Sequence, residues 1–151
     1  MPLHPPTDSD GNIIAHDDPA IRPETFVIRY INPVAHVFFD ENTKQRRIAS
    51  AAFGPSSRDP DFGMSVDIGQ LLTETGLPEN ARVPSDRGAV RLNVGRVREL
   101  KLRVGSDPIA AGRLPANPFH GQVWGVKSGM RAKLHDVVVD WVSPLQGVSI
   151  R

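Results

Sequence analysis

The chain of 151 residues contains no cysteine. That excludes disulfides, thiolate metal sites and a cysteine nucleophile, and it suits a cytoplasmic location. Aromatic residues are few, with two Trp, one Tyr and six Phe, so a core must be built mainly from Val, Ile, Leu and Ala. No apolar run approaches the roughly 18 residues of a membrane helix. The residues from Met1 to Pro6 carry neither a basic start nor an apolar stretch of the secretory type, so a soluble, unprocessed chain with no membrane partner is expected. The histidines His4, His16, His36, His120 and His135 form no close pair and no His-Glu-x-x-His spacing, so no metal site is read. Repeats and a regular βαβ alternation are also missing.

What is present points to many short elements. The 14 Pro and 13 Gly imply frequent turns, and a chain of this length folds as one domain that buries about two thirds of its unfolded surface. A net charge of +1 hides an asymmetry: residues 1–86 hold 7 Lys/Arg against 13 Asp/Glu, residues 87–133 hold 10 against 2, and residues 134–151 hold 1 against 2. The basic middle either offers a face to phosphates or docks on the acidic first half, and docking is the preferred reading.

Residues 1–24 contain five prolines together with Asp8, Asp10, Asp17 and Asp18. Missing donors and a fixed φ keep such a segment out of a ladder, so it is read as an extended arm on an α+β domain formed by residues 25–151. Within it, Asp8-Ser9-Asp10-Gly11-Asn12 has its glycine fourth, not sixth as a calcium loop requires, and reads as an Asx turn.

Residues 26–31, Phe-Val-Ile-Arg-Tyr-Ile, are the clearest strand. Arg29 is its only charge. Buried, that guanidinium needs an anionic partner; on an edge strand its head reaches water. The acidic residue nearest in the neighbouring predicted strands, Asp67, reads instead as the N-cap of a helix over 68–75, which Gly76 and Pro78 stop. Residues 36–50 read as a hairpin with a polar tip, and residues 64–67 as a short strand entering that helix. Between them lies the loop 54–63, whose Ser56, Ser57 and Arg58 suit an anion but lack the lysine and spacing of a phosphate-binding P-loop.

Residues 88–94 and 100–104 alternate apolar and polar as two half-buried strands, with a helical turn or bulge over 95–99. Paired, they gather Arg91, Lys101 and Arg103 on one outer face. After the Pro- and Gly-rich loop 106–118, residues 119–126 read as a strand whose glycines admit a backbone or ligand beside His120 and Gln122. Apolar spacing from Met130 to Trp141 predicts a helix, with an edge strand over 137–142 as the alternative.

These elements define an α+β fold class: one domain of mostly antiparallel short strands with about two helices. No motif of known mechanism is complete. The candidate catalytic residues are Arg29, His36, Ser50, Ser65 and His120. An arginine holds a phosphate by a two-point contact, a histidine moves a proton near neutral pH, and a hydroxyl positions an attacking or leaving oxygen. The expected ligand bears phosphate, as a nucleotide or a nucleic-acid end does, with transferase or nuclease-like chemistry; the residues point to no particular cofactor. The alternative is a non-catalytic module that binds a protein partner through its acidic arm or basic sheet face.

Overall fold

Strand β1, Phe26–Ile31, lies near the middle of a six-stranded sheet in the computed structural model, which describes residues 4–55, 60–110, 112 and 115–151. Its neighbours are β4 (Met64–Ile68) and β5 (Gly88–Asn93). Outside β4 follow β7 (His120–Trp124) and then β6 (Arg103–Ser106); outside β5 comes β8 (Val138–Ser143). Every pairing in this sheet is antiparallel. The hairpin over 36–50 forms as β2 (Val37–Asp40) and β3 (Gln45–Ile48), and β9 (Val148–Ser149) joins β3 in parallel to complete a second, three-stranded sheet. Among the described residues three short helices, α1 (Gly69–Glu74), α2 (Val94–Glu99) and α3 (Arg131–Asp136), accompany the sheets in an α+β fold.

Alternation gives the large sheet two distinct faces. One carries Val27, Ile31, Val66, Ile68, Val90, Leu92, Val104 and Val123, all buried in a single core. The 3-10 turn Ser50–Phe53 supplies Ala52 and Phe53 to that core and packs against α3. The other face carries Tyr30, Ser65, Asp67, His120, Gln122 and Trp124, and it is this polar face that the loop after β6 covers. At Gly121 a side chain would meet the Ile68 side chain at 2.6 Å and the Gly105 carbonyl at 2.7 Å, so the glycine expected to admit close approach lets β6, β7 and β4 pack tightly.

Several local expectations change. Asp67 does not cap α1: Ile68 holds the N-cap position and no side chain bonds the first turn. The helix does stop at Gly76, whose φ is +78°, with the Leu77 N–H donating to the Leu72 carbonyl at 2.9 Å and the Gly76 N–H to that of Thr73 at 3.0 Å. The helix foreseen from Met130 to Trp141 ends at Asp136, and the β-branched Val138–Ser143 segment extends along β5 as β8. Strands β5 and β6 do not pair, because α2, capped by Asn93 through the Arg96 N–H at 2.9 Å, carries the chain away from β5. Arg91 and Arg103 therefore stand on one face of the sheet with three strands between them, and Lys101 lies in the turn before β6. Arg91 pairs with Glu79 at 3.3 Å and Arg98 with Asp17 at 3.0 Å, so two arginines of the basic middle dock on the acidic first half.

Along the N-terminal segment, the Asp8 carboxylate accepts the Asp10 and Asn12 N–H groups at 2.9 Å each, forming the Asx turn. The His16 ring then lies 5.0 Å from that of Trp124 and directly over Gly105, where any side chain would collide with it. Asp17 accepts the Val104 N–H at 2.9 Å, and Ile21 is fully buried. Anchoring thus begins near His16. Deletion of residues 1–12 is expected to move Tm by no more than about 3 °C, whereas deletion through Ile21 should lower it by roughly 10 °C. Thermal melts of the two truncations check this.

Ser56, Ser57 and Arg58, expected to shape an anion loop, lie outside the described residues. Among the described residues no helix is long and apolar enough to cross a membrane.

Candidate functional site

Strands β1 and β4 register at Val27↔Ile68 and Ile28↔Asp67, and their ladder goes no further. Where it stops, a cavity of about 160 Å³ opens in the gap between the two strands, lined from both faces of the sheet, with Ile28, Val66 and Ile109 as apolar walls. Its polar lining comes from Arg29, Tyr30, Ser65, Asp67, Asn117 and His120. Asp67 is its floor, with only 1% of its surface exposed. One carboxylate oxygen accepts the Tyr30 hydroxyl and the other accepts Asn117 Nδ2 at 3.0 Å. Burial, and after it the bonded and charged Asp67, raises the Tyr30 pKa, so the phenol keeps its proton. The Arg82 carbonyl lies 3.0 Å from the same hydroxyl and competes with Asp67 for its one proton.

His120 is the cross-strand partner of Asp67. Its Nδ1 lies 2.7 Å from the Asp107 carbonyl, which can only accept, so Nδ1 carries the proton and Nε2 of the neutral ring is left as a base. Gln122 Nε2 donates to Asp107 Oδ2 at 3.0 Å and holds that loop in place.

Arg29 leaves β1 on the opposite side, toward the core. It is not on an edge strand, and among the described residues no carboxylate is ion-paired to it. Instead Nε donates to the Ala52 carbonyl and Nη1 to the Ser65 carbonyl, both at 2.9 Å. The guanidinium thereby closes the gap where β1 and β4 part. Burial lowers its pKa to about 10. Asp67, the one acidic partner considered for it, is taken by Tyr30 and Asn117 on the other face.

His36 sits beyond the end of β1, half-buried, with Nδ1 accepting the Asn32 N–H at 2.9 Å. Burial lowers its pKa, and the charges of Arg29 and Arg87 lower it further. The end of β1 is therefore electropositive. Since the folded pKa lies below the unfolded 6.5, the unfolded chain takes up the proton first, and stability falls as pH drops through 6.5 toward the folded value. His36→Gln should flatten that dependence. Urea midpoints of both proteins at pH 7.5 and 5.5 test it, and identical slopes would show that His36 does not carry the effect.

Of the five residues predicted from sequence, the cavity brings together Arg29, Ser65 and His120. His36 is close enough to feel the Arg29 charge but does not line the cavity. Ser50 is exposed at the start of the 3-10 turn, away from the lining. Tyr30 and Asn117 were not foreseen, and Asp67 had been read as a helix cap. A buried Tyr needs a partner for its hydroxyl, which was a usable signal for Tyr30. Asn117 lies in a loop without periodicity, and nothing in the sequence links it to Asp67, 50 residues away. Among the described residues no group of three or more His, Asp or Glu is placed to hold a metal ion.

Comparison with protein-family models, curated proteins and solved structures finds no match to this chain.

Proposed function

We propose that this protein binds a small phosphate-bearing ligand of the nucleotide or nucleic-acid-end type, with its ring in the Asp67 cavity and its anionic group toward Arg29. The observation that carries this reading is Arg29 itself, a cation with its pKa lowered by burial and only backbone carbonyls as partners among the described residues. An anion arriving there gains a charge-assisted contact whose desolvation the fold has already met. His36, its pKa lowered mainly by burial, is lowered further by the charges of Arg29 and Arg87, which put a positive field at this end of β1. Where the ligand is turned over by transfer or hydrolysis, His120 Nε2 is the base nearest Asp67 across the ladder. The cysteine-free chain suits a reducing compartment such as the cytoplasm.

Calorimetric titration of the intact protein with inorganic pyrophosphate, nucleoside monophosphates and a 5′-phosphorylated oligonucleotide tests the proposal. Binding that weakens steeply with salt is the expected result. No heat from any of the three at low salt would defeat it.

A second reading is favoured by a separate observation. An open groove of about 480 Å³, lined by Phe39, Lys44, Gln45, Arg46 and Gly147–Ser149, runs beside the exposed Val34, Phe38 and Phe39. Basic and aromatic together, it suits an acidic protein segment.

A further inference from the structure

We infer that the Asp67 cavity selects an amino-bearing six-membered nitrogen heterocycle, of the cytosine type, over its keto counterpart; this rests on the nucleotide reading above and names the ring. The cavity is rich in acceptors. The Asp67 carboxylate offers about four lone-pair sites, and Tyr30 and Asn117 take one each. No ion pair among the described residues includes it, and Arg82, whose charge reaches Tyr30, donates to the Ala116 carbonyl at 2.6 Å. Opposite Asp67, His120 Nε2 is an acceptor in the neutral ring, whose proton Nδ1 holds.

Gln122 is a further acceptor on this face, beside His120 but outside the cavity lining. It follows His120 on the same face of β7, its nitrogen is spent on Asp107, and its side-chain oxygen is buried with no hydrogen-bond partner among the described residues. A buried acceptor left empty costs free energy until a donor reaches it. The two acceptors that line the cavity, the Asp67 carboxylate and Nε2 of the neutral His120 ring, call for a ligand that brings N–H groups. An exocyclic amine supplies them, whereas a keto oxygen in the same place faces the carboxylate and leaves it unsatisfied. Size points the same way. A cavity of about 160 Å³ matches a single six-membered ring, since an apolar cavity of about 150 Å³ takes benzene.

Calorimetric titration of the wild-type protein with cytidine monophosphate and uridine monophosphate, with pyrophosphate as the ring-free control, decides the matter. Cytidine monophosphate is expected to bind at least about ten-fold tighter than uridine monophosphate. Asp67→Asn, whose amide presents a donor as well as an acceptor, should narrow or reverse that ratio, with circular dichroism confirming its fold; if it unfolds, the wild-type ratio alone is decisive. Equal affinity, preference for the keto ring, or binding of pyrophosphate alone overturns the ring assignment and leaves the phosphate reading standing. Failure of all three ligands to bind overturns the ring assignment, and failure of the 5′-phosphorylated oligonucleotide as well removes the phosphate reading.

Discussion

Replacing Arg29 with alanine is expected to weaken pyrophosphate and nucleotide binding by at least about 100-fold, the loss of two charge-assisted contacts, while lowering stability by only about 1–3 kcal/mol. The second figure follows from what the guanidinium bonds. With no carboxylate paired to it among the described residues, its removal strands no buried anion there, so the roughly 3–5 kcal/mol of a broken buried ion pair does not apply. What is lost is satisfaction of the Ala52 and Ser65 carbonyls. Relief of the buried charge offsets part of that cost. Arg29→Lys keeps the charge but cannot reach two carbonyls with a planar fork, so it should recover part of the binding and little of the stability. Paired titration and urea denaturation separate the two effects. Retention of wild-type affinity by Arg29→Ala would show that the anion lies elsewhere.

Phe53→Ala should be among the most damaging single truncations in the core, at about 3–5 kcal/mol. Phe53 is fully buried and stacks on His135 with ring centroids 5.3 Å apart. The 3-10 turn that carries it also carries Ala52, whose carbonyl receives Arg29. Loss of the ring therefore loosens both the closure between that turn and α3 and the anchor of the proposed anion site. A domain of ordinary stability, about 5–15 kcal/mol, survives this at reduced Tm, and its affinity for pyrophosphate should fall with it. Urea unfolding with an unchanged slope and a lower midpoint is the expected record. A loss below about 1 kcal/mol would mean that the turn does not close the core.

Local chemistry determined much of this protein before any long-range contact was known. The β-branched and aromatic run at 26–31, the hairpin over 36–50, the Asp8 turn and the stop at Gly76 all follow from steric and hydrogen-bonding preferences of residues close in sequence, and each forms as that chemistry directs. The mostly antiparallel α+β class follows from the same short elements. Arg29 was also conspicuous, because one charge in an otherwise apolar strand is visible without any partner.

Partners were another matter. Which strands adjoin β1 depends on crossings between segments dozens of residues apart, and Arg29 became central rather than peripheral only when β4 and β5 enclosed β1. The same enclosure redirected Asp67. Its local pattern favours a helix cap, but pairing with β1 and β7 buries it on the polar face, where Tyr30 and Asn117 are the donors within reach. The helix expected through Trp141 yielded for a related reason: Val137-Val138-Val139 is compatible with either state in isolation, and the open side of β5 made the strand the better use of its backbone groups. Residue type and spacing determined the local elements, because their preferences act over a few residues; the cavity was decided by tertiary structure, because only the folded sheet brings residues 29, 30, 65, 67, 117 and 120 to one place.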